Sequence, residues 1–218
     1  MAIVIPGYNE EGHIKTVVES VLEAYPDEHI IVVDDGSQDN TYTEASTLPV
    51  TTLRHVINLG KGAALRTGAW YAQQHGDDYI IFMDGDGQHS LNTIPDLLQG
   101  LETHDLIIAC REFNKDMPLM SKVGNTFFTA FSKILFNLDI PDTQSGFRAL
   151  KTKVLDKVMW KTNHYAVETE MLVEAQLNNV AITTVNTETI YHDDVKGTDP
   201  IHGIKIALNM IYWRLTRW

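Results

Sequence analysis

At 218 residues the chain is long enough to bury one full core, and 44% hydrophobic with 21% charged residues is the balance of a soluble globular fold. Seventeen basic against 29 acidic residues leave a net charge of −12, which argues against a nucleic-acid surface and makes any anionic ligand depend on a metal, an arginine or backbone N–H groups. The lone Cys110 excludes a disulfide framework and implies a reducing compartment. The chain opens directly into a strand-like run, without a signal peptide. With no apolar stretch long enough to span a bilayer, the expectation is a cytoplasmic protein.

Residues 2–5 are an apolar run stopped by Pro6 and Gly7, and predict the first strand. Ile14, Val17, Val18, Val21, Leu22 and Tyr25 then recur at helical spacing. Residues 30–33 predict a second strand, closed by Asp34, Asp35 and Gly36, and a weaker third strand is expected at 53–57. Residues 61–74 predict a helix, 79–83 a strand, 94–101 a helix and 106–110 a strand. Short apolar runs alternating with helices imply an α/β fold with a doubly wound, mostly parallel sheet. The second half is less regular: a long helix at 120–138, a short strand at 147–150, helices at 153–160 and 170–177, and a strand within 182–191. Without a linker-like segment, one domain over 1–218 is expected.

Polar clusters follow three of the predicted strands, at 6–10, 34–37 and 84–88, and parallel sheets take ligands in the crevice beyond their strand C-termini. The segment MDGDGQH (residues 83–89) carries the most chemistry. Asp84 and Asp86 are two apart, so extended backbone projects both carboxylates to one side, and small glycines leave room for a bulky ligand. Such a pair suits a hard divalent cation whose shell is completed by phosphate oxygens. Taken alone, Asp and Gly at these positions also make an ordinary turn. An EF-hand is excluded by His89 and Pro95, which stand where that loop needs its glycine and its bidentate glutamate. No G-x-G-x-x-G or Walker A pattern appears.

The ordered set PGYNEE (6–11), VVDDGSQDNT (32–41), NLGKGAALRTG (58–68), MDGDGQH (83–89) and DTQSGFRAL (142–150) resembles family 2 of the inverting glycosyltransferases. Within it, the chain is similar to the dolichol- or polyprenol-phosphate sugar synthases, over a span from the first strand to at least Leu150. The resemblance implies the glycosyltransferase A-type fold, with a Rossmann-like nucleotide-sugar half at about 1–110 and an acceptor half at about 111–200. It also implies transfer of a hexose from a UDP- or GDP-sugar to a polyprenyl phosphate at the cytoplasmic face of a membrane. Pro6, Tyr8, Asn9 and Glu10 would then line the nucleotide pocket, Tyr8 beside the base and Glu10 near the ribose, with Asp35 and Gly36 bonding base and ribose. Pro6 and Gly7 could equally just end a strand while Asn9 caps the following helix.

Lys61 opens a helix, where the dipole disfavours a cation, which suggests an anionic neighbour, either nucleotide or Asp35; a solvated surface lysine is the alternative, because single surface charges cost little. By the same resemblance Asp84, Gly85, Asp86 and Gln88 form the donor and metal site, with Mg²⁺ or Mn²⁺ bridging carboxylate and diphosphate. Arg111 and Arg148 would present guanidinium forks to phosphate, Arg148 being favoured by its motif. Asp142 would orient Arg148, touch the donor sugar or act as a base, with Glu168 and Glu170 as alternatives. A loop at 191–200 would close over the donor with Lys196 as its basic residue. The last stretch, 201–218, puts Ile204, Leu208, Ile211, Leu215 and Trp218 on one helical stripe with Lys205, Arg214 and Arg217 beside it. That pattern fits a helix lying on a membrane surface or one packed on the core. Transfer to a saccharide hydroxyl, and a binding module without turnover, are the competing readings.

Overall fold

The computed structural model describes residues 1–111, 119–188, 190 and 200–217. In chain order the elements are β1 (Ala2–Gly7), α1 (Ile14–Ala24), β2 (His29–Asp34), α2 (Thr41–Ser46), β3 (Thr51–Arg54), α3 (Lys61–Gln74), β4 (Tyr79–Phe82), α4 (Ile94–Thr103) and β5 (Leu106–Arg111). There follow α5 (Leu119–Phe136), β6 (Arg148–Lys151), α6 (Leu155–Val158), α7 (Val167–Leu177), β7 (Ile182–Thr187) and α8 (Pro200–Arg217). The strands form one sheet in the order β3-β2-β1-β4-β6-β5-β7. All neighbours are parallel except β6, which runs antiparallel to both β4 and β5.

The continuous apolar runs of β1, β2 and β5 follow from cover on both faces of the sheet. Ile3 and Ile5 point into one cluster, with Ile14, Val17, Val18 and Val21 of α1 and with Leu97 and Leu101 of α4. Val4, Ile31 and Val33 point into the other, with the alanine-rich face of α3 and with α5, α7 and α8. Each fully buried aliphatic side chain of these stripes contributes roughly 1.5–3 kcal/mol relative to exposure.

This topology brings the polar clusters together. β1, β2, β4, β5 and β7 present their carboxyl ends along one edge. β6 enters from that same edge, because Arg148 pairs with Phe82 on one side and Ile108 on the other. The 142–147 segment is thereby delivered beside the loop that follows β4.

Several boundaries differ from the sequence expectation. The third strand is Thr51–Arg54, two residues earlier than expected, because Val56 and Ile57 face solvent over a cleft instead of joining the sheet. The helix expected at 153–160 shrinks to a 3₁₀ turn and the single turn α6. Helix α2 was not expected at all, being only six residues long and too short to show periodicity. α7 starts at Val167, three residues early. On α8 the packed face is Ile206, Met210 and Trp213, whereas Ile204, Leu208, Ile211 and Leu215 are exposed. Trp218 lies outside the described residues.

Candidate active site

Two loops at the sheet's carboxyl edge are stitched together by backbone N–H groups. Asn9 adopts φ +56°, a left-handed conformation that asparagine tolerates. Its N–H donates to Ser37 Oγ (2.9 Å), and its Oδ1 accepts from Gln38 N–H (3.0 Å). The Glu10 N–H donates to Thr41 Oγ1 (2.7 Å). Asn9 therefore fastens the neighbouring loop and does not cap α1, whose N-cap is His13. Next to these loops Tyr8, Gly36, Ser37, Gln38, Arg54 and His55, with residues 56–58, line a cleft of about 490 Å³. Pro6 is buried inside β1.

The Asp35 carboxylate lies behind the cleft. It accepts the N–H groups of Leu59 (3.0 Å) and Gly60 (2.6 Å) and contacts His55 Nδ1 (2.6 Å), while His55 Nε2 reaches Thr67 Oγ1 (2.9 Å). Asp35 thus shapes the far wall, and its own oxygens are taken. Gly36, at φ +74°, passes where a Cβ would stand 2.5 Å from the Ile57 carbonyl carbon, so only glycine fits. Arg54 and His55 carry no motif of their own and were missed from sequence. Arg54 Nε sits 2.9 Å from Asp34 Oδ2, and its Nη2 donates to the Ser37 carbonyl (3.0 Å).

Beyond β4, Asp84, Asp86, Gln88 and His89 line a smaller cavity of about 60 Å³ together with Arg111, Gln144, Ser145, Gly146, Thr187 and Glu188. Asp86 does not lie on extended backbone. It sits in a turn, with its Oδ1 accepting the Gln88 N–H (3.0 Å), yet its side chain lines the same cavity as that of Asp84. Gly85 packs against the end of β1, where a Cβ would stand 3.1 Å from the Pro6 carbonyl oxygen.

Lys61 does have anionic neighbours, though not Asp35. Its Nζ lies 2.7 Å from Asp84 Oδ1 and 2.8 Å from Glu168 Oε1. Burial works against the ammonium's charge, but Asp84 and then Glu168 outweigh it and hold the Lys61 pKa above its ordinary value. Burial likewise opposes the Asp84 charge, and Lys61 followed by the His89 hydrogen bond (3.4 Å) holds that carboxyl well below the usual range. A depressed acid lends stability above its unfolded pKa of about 3.9 that is lost as pH falls through the folded value. A raised lysine lends stability below about 10.4 that is lost as pH rises. Both groups therefore stay charged throughout the neutral range.

Of the two arginines expected to present a fork to phosphate, Arg111 lines the cavity and the favoured Arg148 does not. Arg111 forks onto Asp142, Nε to Oδ2 at 2.7 Å and Nη2 to Oδ1 at 3.0 Å, and its side chain remains 30% exposed on the cavity wall. Arg148 is 1% exposed and donates to three carbonyls, those of Ser145 (2.8 Å), Glu168 (2.6 Å) and Thr143 (3.0 Å). It ties the 143–148 loop to α7 and does not open on the cavity. Asp142 is fully buried, orients Arg111 instead of Arg148, and also accepts the Gln144 N–H (3.2 Å). Glu170, also fully buried, accepts from Thr162 N–H (2.7 Å) and Arg217 Nη1 (2.7 Å), so it anchors α8. Lys196 lies outside the described residues.

The residues at the small cavity fit a divalent cation. Burial and then the nearby Asp86 carboxylate push Glu10 above the usual carboxyl range, with Asp84 adding to the effect, so negative charge accumulates on this side of the cavity. Asp84 Oδ1 is on Lys61, its Oδ2 has only the long 3.4 Å contact with His89 Nε2, and Asp86 Oδ1 accepts the Gln88 N–H, so Asp84 Oδ2 and Asp86 Oδ2 are the oxygens best suited to a metal. Among the described residues no group of three or more His, Cys, Asp or Glu side chains is arranged to hold a metal by itself. Any cation here would need ligand oxygens as well.

Residues 2–159 match the model of Glycosyl transferase family 2. The chain is 32% identical over 241 residues to the UDP-N-acetylglucosamine–dolichyl-phosphate N-acetylglucosaminyltransferase of Methanococcus voltae, covering 98% of this chain and 95% of that protein. It is 29% identical to the undecaprenyl-phosphate mannosyltransferase of Micrococcus luteus, over 99% and 94% of the two chains. Among solved structures, glucosyl-3-phosphoglycerate synthase from Mycobacterium tuberculosis, in complex with Mn²⁺, UDP-glucose and phosphoglyceric acid, superposes with a TM-score of 0.75 at 20% identity, covering 98% of this chain and 78% of that one. The chain belongs to glycosyl transferase family 2 and is a glycosyltransferase with the A-type fold. No helix among the described residues is long and apolar enough to cross a membrane.

The close packing around Gly146 gives a first prediction. A Cβ there would stand 2.7 Å from Asp84 Oδ2 and 3.0 Å from Lys61 Nζ. Gly146→Ala is expected to displace the Asp84 carboxylate and lower kcat by about a hundredfold, the scale of a 1 Å misplacement. Steady-state rates beside a thermal melt check this, and a wild-type rate would contradict the packing.

Proposed function

We propose that the chain is an inverting, divalent-metal-dependent transferase that moves a hexose or an N-acetylhexosamine from a UDP- or GDP-sugar to a polyprenyl phosphate. The names of the relatives from M. voltae and M. luteus support a polyprenyl phosphate acceptor, and the former supports a UDP donor. In this reading one catalytic domain spans the chain, with nucleotide sugar held by roughly the first 110 residues and acceptor by residues 111–200.

The observation that carries a phosphate acceptor over a hydroxyl is the state of the candidate bases. Asp142 is forked by Arg111, Glu168 is paired with Lys61, and Glu170 is paired with Arg217. A sugar hydroxyl needs a base to take its proton. A phosphate monoester, with a second pKa of about 6, is already ionised at neutral pH and needs none.

The nucleotide would lie in the 490 Å³ cleft, its base beside Tyr8 and its ribose toward Gly36 and Glu10. Asp84, Asp86 and Gln88 would hold Mg²⁺ or Mn²⁺, and that cation, when bound, offsets charge on the departing nucleoside diphosphate as a Lewis acid. Arg111, held in orientation by Asp142, would grip a phosphate of the acceptor or donor. The acceptor phosphate oxygen attacks the anomeric carbon opposite the leaving diphosphate, and positioning with charge neutralisation supplies most of the acceleration.

The test is to incubate the protein with labelled UDP-N-acetylglucosamine, UDP-glucose or GDP-mannose, a polyprenyl phosphate, and Mg²⁺ or Mn²⁺. Label from one donor should move into the organic phase as a sugar phospholipid. Label passing only to saccharide hydroxyls would replace this reading with its nearest rival.

A further inference from the structure

Two carboxylates and one ammonium meet beside the small cavity. Lys61 Nζ stands 2.7 Å from Asp84 Oδ1 and 2.8 Å from Glu168 Oε1. Asp84 and Asp86 line the cavity, whereas Lys61 and Glu168 are outside its lining, so the ammonium holds Asp84 from behind the wall. Its place is fixed from several directions. The glycines on either side of Lys61 let the start of α3 press onto residues 162–164, with no room for a Cβ at Gly60 against His164 or at Gly62 against the Thr162 carbonyl. Trp160 Nε1 donates to the Gly62 carbonyl (2.7 Å), and the Ala63 N–H to that of Asn163 (3.2 Å). Glu168 is held from the other side, its carbonyl accepting Arg148 Nη1 (2.6 Å). Gly146 packs close as well, where a Cβ would stand 3.0 Å from Lys61 Nζ. A solvated surface lysine has none of these restraints.

Asp84 Oδ1 and Glu168 Oε1 thus converge on one point, and the chain's own cation occupies it. Two consequences follow for a divalent ion. With Oδ1 taken, Asp84 offers a metal only Oδ2 and cannot chelate it with both oxygens. With Lys61 in place, Glu168 cannot join Asp84 and Asp86 as a third acidic ligand. Affinity for a hard cation rises with the number of charged oxygens around it and with the rigidity of the site. Single oxygens from two aspartates are a weak hold, so the rest of the shell must come from diphosphate and water.

We propose that Lys61, braced by Glu168, is a positioning residue that keeps Asp84 to one metal-facing oxygen, so that the divalent cation is taken up together with the nucleoside diphosphate instead of by the free protein. This rests on the metal-dependent transferase reading of the site and goes beyond it. The free protein holds the cation weakly, and a lysine outside the cavity sets that weakness. Glu168 belongs to α7 and Lys61 to α3, so the two halves of the chain jointly decide how Asp84 meets the metal.

Binding of Mn²⁺ without any transfer tests this, read from the paramagnetic resonance signal of the free ion and by calorimetry. Wild-type protein should bind Mn²⁺ at least about tenfold more weakly alone than in the presence of UDP. Lys61→Met by itself strands the buried Glu168 carboxylate and can unfold the chain. The deciding variant is therefore Lys61→Met combined with Glu168→Gln, which removes one charge of each sign and leaves the net charge unchanged. With Asp84 Oδ1 released, its affinity for Mn²⁺ alone should rise by at least about tenfold, while its UDP binding in chelator stays at the wild-type level. The proposal is overturned if this variant binds Mn²⁺ alone no better than wild type, or if wild type binds Mn²⁺ equally well with and without UDP. A variant that melts normally yet loses UDP binding in chelator would make Lys61 a direct phosphate ligand and overturn it too. Wild-type protein that takes up no Mn²⁺ even with UDP would overturn the metal-dependent reading itself, and this proposal with it.

Discussion

Asp86→Ala is expected to lower kcat by at least about 10²–10³ while leaving the melting temperature close to wild type. The asymmetry follows from how Asp86 is held. Its carboxylate is partly exposed at a loop tip and accepts only the Gln88 N–H among the protein bonds described for it. Losing such a bond costs about 0.5–1.5 kcal/mol. Asp84→Ala differs, because Asp84 is the partner of Lys61, and its removal leaves that buried ammonium with Glu168 alone. Transfer should fall in both variants, with a clear drop in stability only for Asp84→Ala. Initial rates at saturating donor and Mn²⁺, beside thermal melts, check both halves. A wild-type rate from Asp86→Ala would remove the basis for the proposed metal site.

Arg148→Lys is expected to destabilise the fold by about 2–6 kcal/mol, because a lysine can serve one of the three buried carbonyls and leaves two unpaired at about 1–3 kcal/mol each. Against a typical total of about 5–15 kcal/mol, that is enough to unfold a large fraction of molecules at growth temperature. The carbonyls belong to Thr143, Ser145 and Glu168, so the loss would also release the loop that carries Gly146 against Asp84. Urea denaturation decides between this role and direct phosphate binding. A phosphate ligand at this position would give a lysine variant of near-native stability with a raised KM. Arg111→Lys is the contrasting case, since Arg111 reaches the cavity and its loss should appear mainly in turnover.

What could be read from the sequence was local. The runs at β1, β2 and β5 are apolar on both faces because both faces are covered, and the polar clusters after β1, β2 and β4 had to converge once those strands were parallel. The pairing of β6 between β4 and β5 was not readable, because four residues of RALK carry no mark of direction. The same holds for side chains whose partners are distant in sequence. Arg111 and Asp142 are 31 positions apart, and nothing in DTQSGFRAL says that its aspartate serves an arginine outside the motif while its own arginine turns inward. The acid in VVDDGSQDNT that suggested base and ribose contacts bonds instead to the 59–60 backbone, a contact created by the way the 55–60 loop folds back. On α8 the exposed stripe was the more conspicuous in sequence, while the packed one, Ile206, Met210 and Trp213, has fewer members and shows itself only through burial.

The most direct test is calorimetric titration of UDP into the wild-type protein and into Asp86→Asn, each with Mn²⁺ and with chelator. The proposed site predicts that Mn²⁺ tightens UDP binding to the wild type by at least about tenfold, or ~1.4 kcal/mol, and that the variant loses this gain. UDP binding of equal strength with metal and with chelator, or a metal gain that survives Asp86→Asn, would contradict it.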